Sequence, residues 1–355
     1  MLTPASFTIG GRAVGAGAPC YVVAEISANH NQSLDRAIAI IRAAKQAGAD
    51  AVKLQTYTPD TLTIDSDREW FRVPDTTLWG GRTLYALYGE AFTPWEWHET
   101  LFRVAADEGL GCFSTPFDRS AVDYLEQLGT SVYKVASFEN VDLGLLEYIG
   151  RTRKPVIMST GMASLGEIEE AVRTLRSAGA GPLALLKCTS AYPASPRSMN
   201  LRTIPHLRDA FGVVAGLSDH TMGSAAAVAA VVLGASIVEK HFTLSRADGG
   251  PDSAFSLEPG ELRHLVDDIR VAEEALGAIS YDRSDEELKS LCFRRSLFVV
   301  ADVKAGQVLT AENVRSIRPG YGLPPRHLPE VLGRQAASDI ARGTPLSWDL
   351  VIGPR

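Results

Sequence analysis

The chain has 355 residues, 45% of them hydrophobic and 22% charged, with a formal net charge of −7. This composition supplies a large apolar core and excludes wholesale disorder, and the acidic balance gives no footing for a nucleic-acid backbone. No run of 18 uncharged apolar residues occurs and the N-terminus lacks an apolar segment of signal-peptide length, so no membrane association is expected and the cytoplasm is the expected compartment. Cys20, Cys112, Cys188 and Cys292 lack paired metal spacing and read as free thiols in a reducing compartment.

In chain order, short β-rich apolar runs fall at 21–26, 51–55, 111–115, 132–136, 155–159, 183–188, 213–217 and 236–241. Amphipathic stretches at 34–47, 121–128, 166–178 and 224–233 separate several of them, with Gly48, Gly129 and Gly234 near helix ends. Eight strand-helix units within about 280 residues predict a closed (β/α)8 TIM barrel over 1–280; no glycine-rich dinucleotide turn follows the first strand. One connection is too long. Between Gln55 and Gly111 lies a segment with Trp70, Phe71, Trp79, Tyr85, Tyr88, Trp95 and Trp97, which predicts either a functional loop or an extra helix packed on the barrel.

After a helical pattern at 261–276, the charged stretch 281–291 reads as a linker, and 292–355 as a small, separate β-rich module. That module has nine Lys or Arg against five Asp or Glu, a balance of +4, which leaves −11 for residues 1–291.

Reactive residues of such a barrel gather where the strands end, so the polar residues closing each run form a ring. It comprises Glu25, Lys53 with Gln55, Ser114 with Thr115, Lys134 with Ser137, Ser159 with Thr160, Thr189 with Ser190, Ser218 with Asp219 and His220, and Lys240 with His241. Two lysines facing a rim of hydroxyls suit a compact phosphorylated dianion. The alternative is that Lys53 and Lys134 pair with carboxylates such as Glu25 inside the barrel. His220 and His241 close neighbouring strands, where two imidazoles can share a divalent ion. With water or substrate filling its other positions, the ion suits Mn²⁺ or Mg²⁺ better than structural zinc. Two further readings stay open: a Schiff-base aldolase using Lys53, Lys134 or Lys240, and a non-enzymatic adhesive or ice-binding tail on a scaffold barrel.

As a set, Ala24-Glu25-Ile26-Ser27-Ala28-Asn29-His30-Asn31, Val52-Lys53-Leu54-Gln55, Phe113-Ser114-Thr115-Pro116-Phe117-Asp118, Ser159-Thr160-Gly161-Met162, Cys188-Thr189-Ser190-Ala191-Tyr192-Pro193, Gly216-Leu217-Ser218-Asp219-His220-Thr221, Glu239-Lys240-His241-Phe242-Thr243 and Gly250-Pro251-Asp252 resemble the sialic acid synthase family. Arg294-Arg295-Ser296-Leu297 and Arg318-Pro319-Gly320 resemble that family's C-terminal antifreeze-like (SAF) domain, so the likeness covers nearly the whole chain. Within the family, Ser27 to Gln32, the segment from Leu78-Trp79 to Trp97, and Pro251 to Leu257 are closer to the branch that makes pseudaminic acid than to the one that makes N-acetylneuraminate. Ser190 and Tyr321 stand where the latter more often has Asn.

The resemblance implies condensation of phosphoenolpyruvate with 2,4-diacetamido-2,4,6-trideoxy-L-altrose, giving a nine-carbon 2-keto acid and phosphate, with neuraminic and legionaminic acid synthases as alternatives of the same chemistry. It implies an ion on His220 and His241, Mn²⁺ before Mg²⁺ or Co²⁺, and Glu25 as the acid-base residue. By motif match, Lys53, Thr115, Lys134, Ser137, Ser159 and Ser218 hold phosphoenolpyruvate, while Gln55, Tyr192 and Asp252 orient the sugar. It further implies a domain-swapped homodimer in which Arg318 of one subunit reaches the sugar's N-acetyl region in the other.

Overall fold

A computed structural model describes residues 6–353. They form two compact units, the first ending at Gly277 and the second beginning at Ala278. The first unit opens with an antiparallel hairpin, β1 (Ser6–Ile9) and β2 (Arg12–Gly15). Eight parallel strands follow: β3 (Tyr21–Glu25), β4 (Ala51–Thr56), β5 (Gly111–Pro116), β6 (Tyr133–Val135), β7 (Val156–Ser159), β8 (Leu183–Cys188), β9 (Val214–Asp219) and β10 (Ile237–His241). Each pairs with the next and β10 pairs back onto β3, closing the barrel that the eight apolar runs predict.

The barrel's interior is built by alternation along the strands. Tyr21, Val23, Ala51, Phe113, Val132, Ile157, Ala184, Leu186, Val214 and Ile237 form its apolar layer at the strands' N-terminal side, joined by Phe7, Ile9 and Val14 of the hairpin. The sequence reading missed the hairpin because its few apolar residues lie outside the strand-helix rhythm. Neighbours of opposite parity, Val22, Ala24, Val52, Leu54 and Val238, face outward onto Ile40 and Ile41 of the helix Leu34–Gln46 and Leu262, Leu265 and Ile269 of the helix Pro259–Leu276. Each fully buried Leu or Ile contributes roughly 1.5 to 3 kcal/mol.

Helix starts follow from capping residues. The Ser33 hydroxyl accepts the Arg36 N–H, the Asp118 carboxylate accepts those of Ser120 and Ala121, and Ser164 and Glu167 cap each other reciprocally. The long connection between β4 and β5 holds an added helix, Leu84–Ala91, whose Leu87 and Ala91 are buried, before the helix His98–Asp107.

The second unit carries its own core of Leu297, Val299, Val303, Leu309, Val314, Val331, Ala336, Ile340, Leu346 and Val351, around the antiparallel pair β11 (Ser296–Val299) and β12 (Val314–Ile317). The stretch 281–291, read from sequence as a linker, belongs to this unit and contains the helix Asp285–Ser290, because Ser284 and Glu287 form a reciprocal cap there. It has two basic and four acidic residues, which lowers the positive balance of the unit it joins. Among the described residues, no helix is long and apolar enough to cross a membrane.

Candidate active site

Parity decides which ring residues share a cavity. Counting by twos from Tyr21, Ala51, Phe113, Ile157, Val214 and Ile237 carries Glu25, Lys53, Gln55, Thr115, Ser159, Ser218, Glu239 and His241 to the inside of the barrel at its C-terminal end. Ser114, Asp219 and Lys240 have the other parity. Ser114 hydrogen-bonds Thr56, which in turn meets His98 at 2.9 Å, while the Lys240 ammonium pairs with Asp219 at 2.7 Å and with the Thr221 carbonyl. Lys240 and Asp219 are therefore a buried ion pair behind the sheet, which removes Lys240 as a candidate imine-forming amine.

Strand register joins the inward groups. Glu25 lies opposite Lys53 on β4 and opposite His241 on β10, while Ser218 lies opposite Glu239. Lys53 Nζ is 2.6 Å from Glu25 Oε2, 3.4 Å from Glu239 Oε1 and 3.4 Å from Thr115 Oγ1. Lys134 Nζ donates to Ser159 Oγ at 2.7 Å and to its neighbour's carbonyl at 3.1 Å, and lies 3.8 Å from Glu239 Oε1, which also accepts the Ser218 hydroxyl at 3.1 Å. Both lysines thus face carboxylates, the arrangement that stood as the alternative to a bare dianion receptor.

The two carboxylates differ in chemistry. Burial raises the Glu25 carboxyl to about 7 despite Lys53; Oε2 meets the Lys53 ammonium, while Oε1 is buried without a partner. Glu239 is held below the ordinary range because Lys134, Lys53 and the Ser218 hydroxyl outweigh the cost of burial. Burial lowers Lys134, whereas Lys53 is raised because Glu239 and Glu25 overcome the same penalty. Pairs of titratable groups pushed apart in this way mark acid-base sites.

The imidazoles of His220 and His241 lie above this quartet's strands with centroids 5.3 Å apart. His220 Nδ1 is 3.1 Å from the Thr189 carbonyl and 3.9 Å from Cys188 Sγ, which leaves its other nitrogen uncommitted. His241 Nδ1 is buried and without a hydrogen-bond partner, and burial, followed by His220 and Lys53, holds this ring well below its ordinary pKa and so neutral. An orphaned buried nitrogen on a neutral imidazole beside a second imidazole is a donor set that fits a divalent ion. Among the described residues no group of three or more His, Cys, Asp or Glu forms a metal site, so such an ion would keep oxygen ligands from solvent or substrate.

Around the imidazoles, the Tyr192 ring sits 4.5 Å from His220 and Phe255 sits 4.9 Å from His241. Asp252 accepts from the Ser27 hydroxyl and, at 3.4 Å, from the Ala28 N–H, and its burial raises it to about 6. Ser27 adopts φ +51, a strained left-handed conformation of the kind found at sites. Ser137 Oγ accepts the Gly161 N–H at 3.1 Å, and a side chain at Gly161 would collide with the Ser137 and Ser190 hydroxyls, so the Ser-Thr-Gly turn needs glycine there. Arg318 is exposed on the C-terminal unit, directly after β12.

Glu239, Cys188 and Glu139 were missed. Glu239 follows from stepping two residues back from His241. Cys188 is the last residue of β8; its thiol is lowered to about 7 because His220 and Ser137 outweigh its burial. Glu139, in the turn after β6, has a buried Oε2 with no partner and is raised by burial to about 7; only its place near Lys134 in the chain hinted at it.

Residues 40–281 match the NeuB family and residues 294–352 the SAF domain. The chain belongs to the NeuB family. A pseudaminic acid synthase of Campylobacter jejuni is 44% identical to this NeuB chain over 326 residues, 92% of the chain and 95% of the relative. An N,N'-diacetyllegionaminic acid synthase of Legionella pneumophila is 34% identical over 94% of the chain and 95% of the relative. Among solved structures, an N-acetylneuraminic acid synthetase of Leptospira borgpetersenii, crystallised with citrate, superposes with a TM-score of 0.71 at 30% identity, covering 81% of this chain and 95% of that one.

Proposed function

We propose that this protein is a pseudaminic acid synthase, condensing phosphoenolpyruvate with 2,4-diacetamido-2,4,6-trideoxy-L-altrose to give a nine-carbon 2-keto acid and inorganic phosphate. The observation that carries the reading is the buried Glu25–Lys53–Glu239–Lys134 array beside the paired imidazoles, in a chain more similar to a pseudaminic than to a legionaminic acid synthase. Retention of two lysines and several hydroxyls in so enclosed a space suits a phosphate and a carboxylate on one small molecule.

Lys53, Lys134, Thr115, Ser137, Ser159 and Ser218 bind phosphoenolpyruvate, the ammonium groups exchanging part of their pairing with Glu25 and Glu239 for the ligand's oxygens. Gln55, Tyr192 and Asp252 orient the sugar so that its aldehyde carbon meets C3 of phosphoenolpyruvate. As C3 bonds to the aldehyde carbon, the aldehyde oxygen takes a proton and C2 becomes cationic; Glu25 takes the proton of the water that adds there, and the C2–O bond to phosphate then breaks to leave the keto group and inorganic phosphate. The Glu25 carboxyl, raised to about 7, and its unpartnered Oε1 make it a better base than Glu239, which is held ionised by three partners. His220 and His241 hold a divalent ion, Mn²⁺ in preference to Mg²⁺ or Co²⁺, which supplies Lewis-acid polarisation of the aldehyde. Holding both reactants in register removes about 7 to 11 kcal/mol of barrier, which accounts for the number of positioning residues. Arg318 of one subunit completes the sugar site of a homodimeric partner.

A phosphate-release assay with the trideoxy altrose sugar, the corresponding legionaminic acid precursor and N-acetylmannosamine, run side by side, tests the assignment. The expected result is turnover of the first at least about tenfold above the others, lost with chelator and restored by Mn²⁺. Equal or greater turnover of either competitor overturns the choice of sugar, and chelator-resistant turnover overturns the metal.

A further inference from the structure

The connection between β4 and β5 carries more chain than a barrel helix needs, and one of its residues returns to the site. The Trp79 indole N–H donates to the Pro251 carbonyl at 2.7 Å, one residue before Asp252. Its ring lies 5.6 Å from Tyr192 and 6.4 Å from Phe255, the two rings that border His220 and His241. Trp79 therefore forms the next layer outward from the imidazoles, fastened across the loops that carry Tyr192 and Asp252.

We infer that Trp79 is the apolar wall of the sugar pocket and selects a substrate whose far end is a methyl group. The inference rests on the proposed reaction. If the aldehyde carbon sits at the imidazoles, Trp79, one ring beyond Tyr192 and Phe255, is placed to meet the far end of an extended six-carbon chain. The one donor of the indole is already used on Pro251, so the face it presents offers area and no hydrogen bond. A C6 methyl loses nothing by resting there, whereas a C6 hydroxyl gives up its water without replacement.

Steady-state kinetics of the metal-loaded full chain, with the trideoxy sugar and its 6-hydroxy counterpart, tests this on wild type, Trp79→Phe, Trp79→Ala and Trp79→Gln. The wild type should prefer the 6-deoxy sugar by about 10- to 100-fold in kcat/KM. Trp79→Ala should raise KM for that sugar about tenfold or more, leave KM for phosphoenolpyruvate unchanged, and bring the preference close to unity. Trp79→Phe should keep most of the preference, and Trp79→Gln should favour the hydroxylated sugar relative to Trp79→Ala. A wild-type preference that persists in Trp79→Ala or Trp79→Gln overturns the wall. If Trp79→Ala fails to fold, the contrast of Trp79→Phe with Trp79→Gln decides. A wild type that does not turn over the trideoxy sugar overturns the proposed reaction, an outcome separate from any variant-to-wild-type ratio.

Discussion

Glu25 shows how a single side chain acquires a role from its surroundings. Buried at the end of β3, it meets one ammonium at 2.6 Å yet is raised to about 7, because desolvation outweighs Lys53. In the proposed role of base it works only when ionised, so kcat should rise with pH through an apparent pKa near 7 and level off above it. Glu25→Gln should lose about 10²- to 10⁴-fold in kcat and, with it, that acidic limb. An unchanged limb in the variant would assign the titration elsewhere, with Glu139, also raised to about 7, as the next group to replace. Glu25 was legible in the sequence as the polar residue ending an apolar run. Glu139 was not: it lies in a turn, where no periodicity predicts which way a side chain faces.

At the scale of the element, register turns a list of polar residues into a site. His220 and His241 were readable as neighbours because consecutive barrel strands pair in order, and the eight runs gave that order. The ring of strand-ending residues, however, mixed two faces of the sheet. Ser114 on β5, Asp219 on β9 and Lys240 on β10 belong to the outer face, and only counting alternate residues from the apolar layer separates them. The Lys240–Asp219 pair is almost fully buried, at 1% and 0% side-chain exposure. Removing one partner leaves the other charge uncompensated in a dry layer, so Lys240→Met should destabilise the protein by about 3 to 5 kcal/mol in urea titrations. The double substitution Lys240→Met with Asp219→Leu should recover most of that loss. Phosphoenolpyruvate binding to the folded fraction should be unaltered; a binding defect larger than the unfolded fraction explains would return Lys240 to the cavity.

For the whole molecule, each unit has its own core, and among the described residues the C-terminal cluster draws none from the barrel. Arg318, exposed on the second unit, is the side chain that the proposed function assigns to the sugar. The charge contrast read from residues 292–355 is weaker than it first looked, since the acidic stretch 281–291 folds with that unit. What distinguishes a shared site from two self-contained ones is complementation. On the proposed roles of Arg318 at the sugar and His241 at the ion, Arg318→Ala and His241→Ala chains should each be inactive alone. If the dimer places Arg318 of one subunit at the other's barrel, a heterodimer has one site carrying both lesions and one carrying neither. After subunit exchange, an equal mixture should recover roughly a quarter of wild-type turnover, because half the dimers are mixed and half of their sites intact. No recovery in a mixture shown by mass spectrometry to contain heterodimers would place Arg318 and His241 in the same chain's site. Recovery independent of exchange time would implicate residual single-variant activity instead.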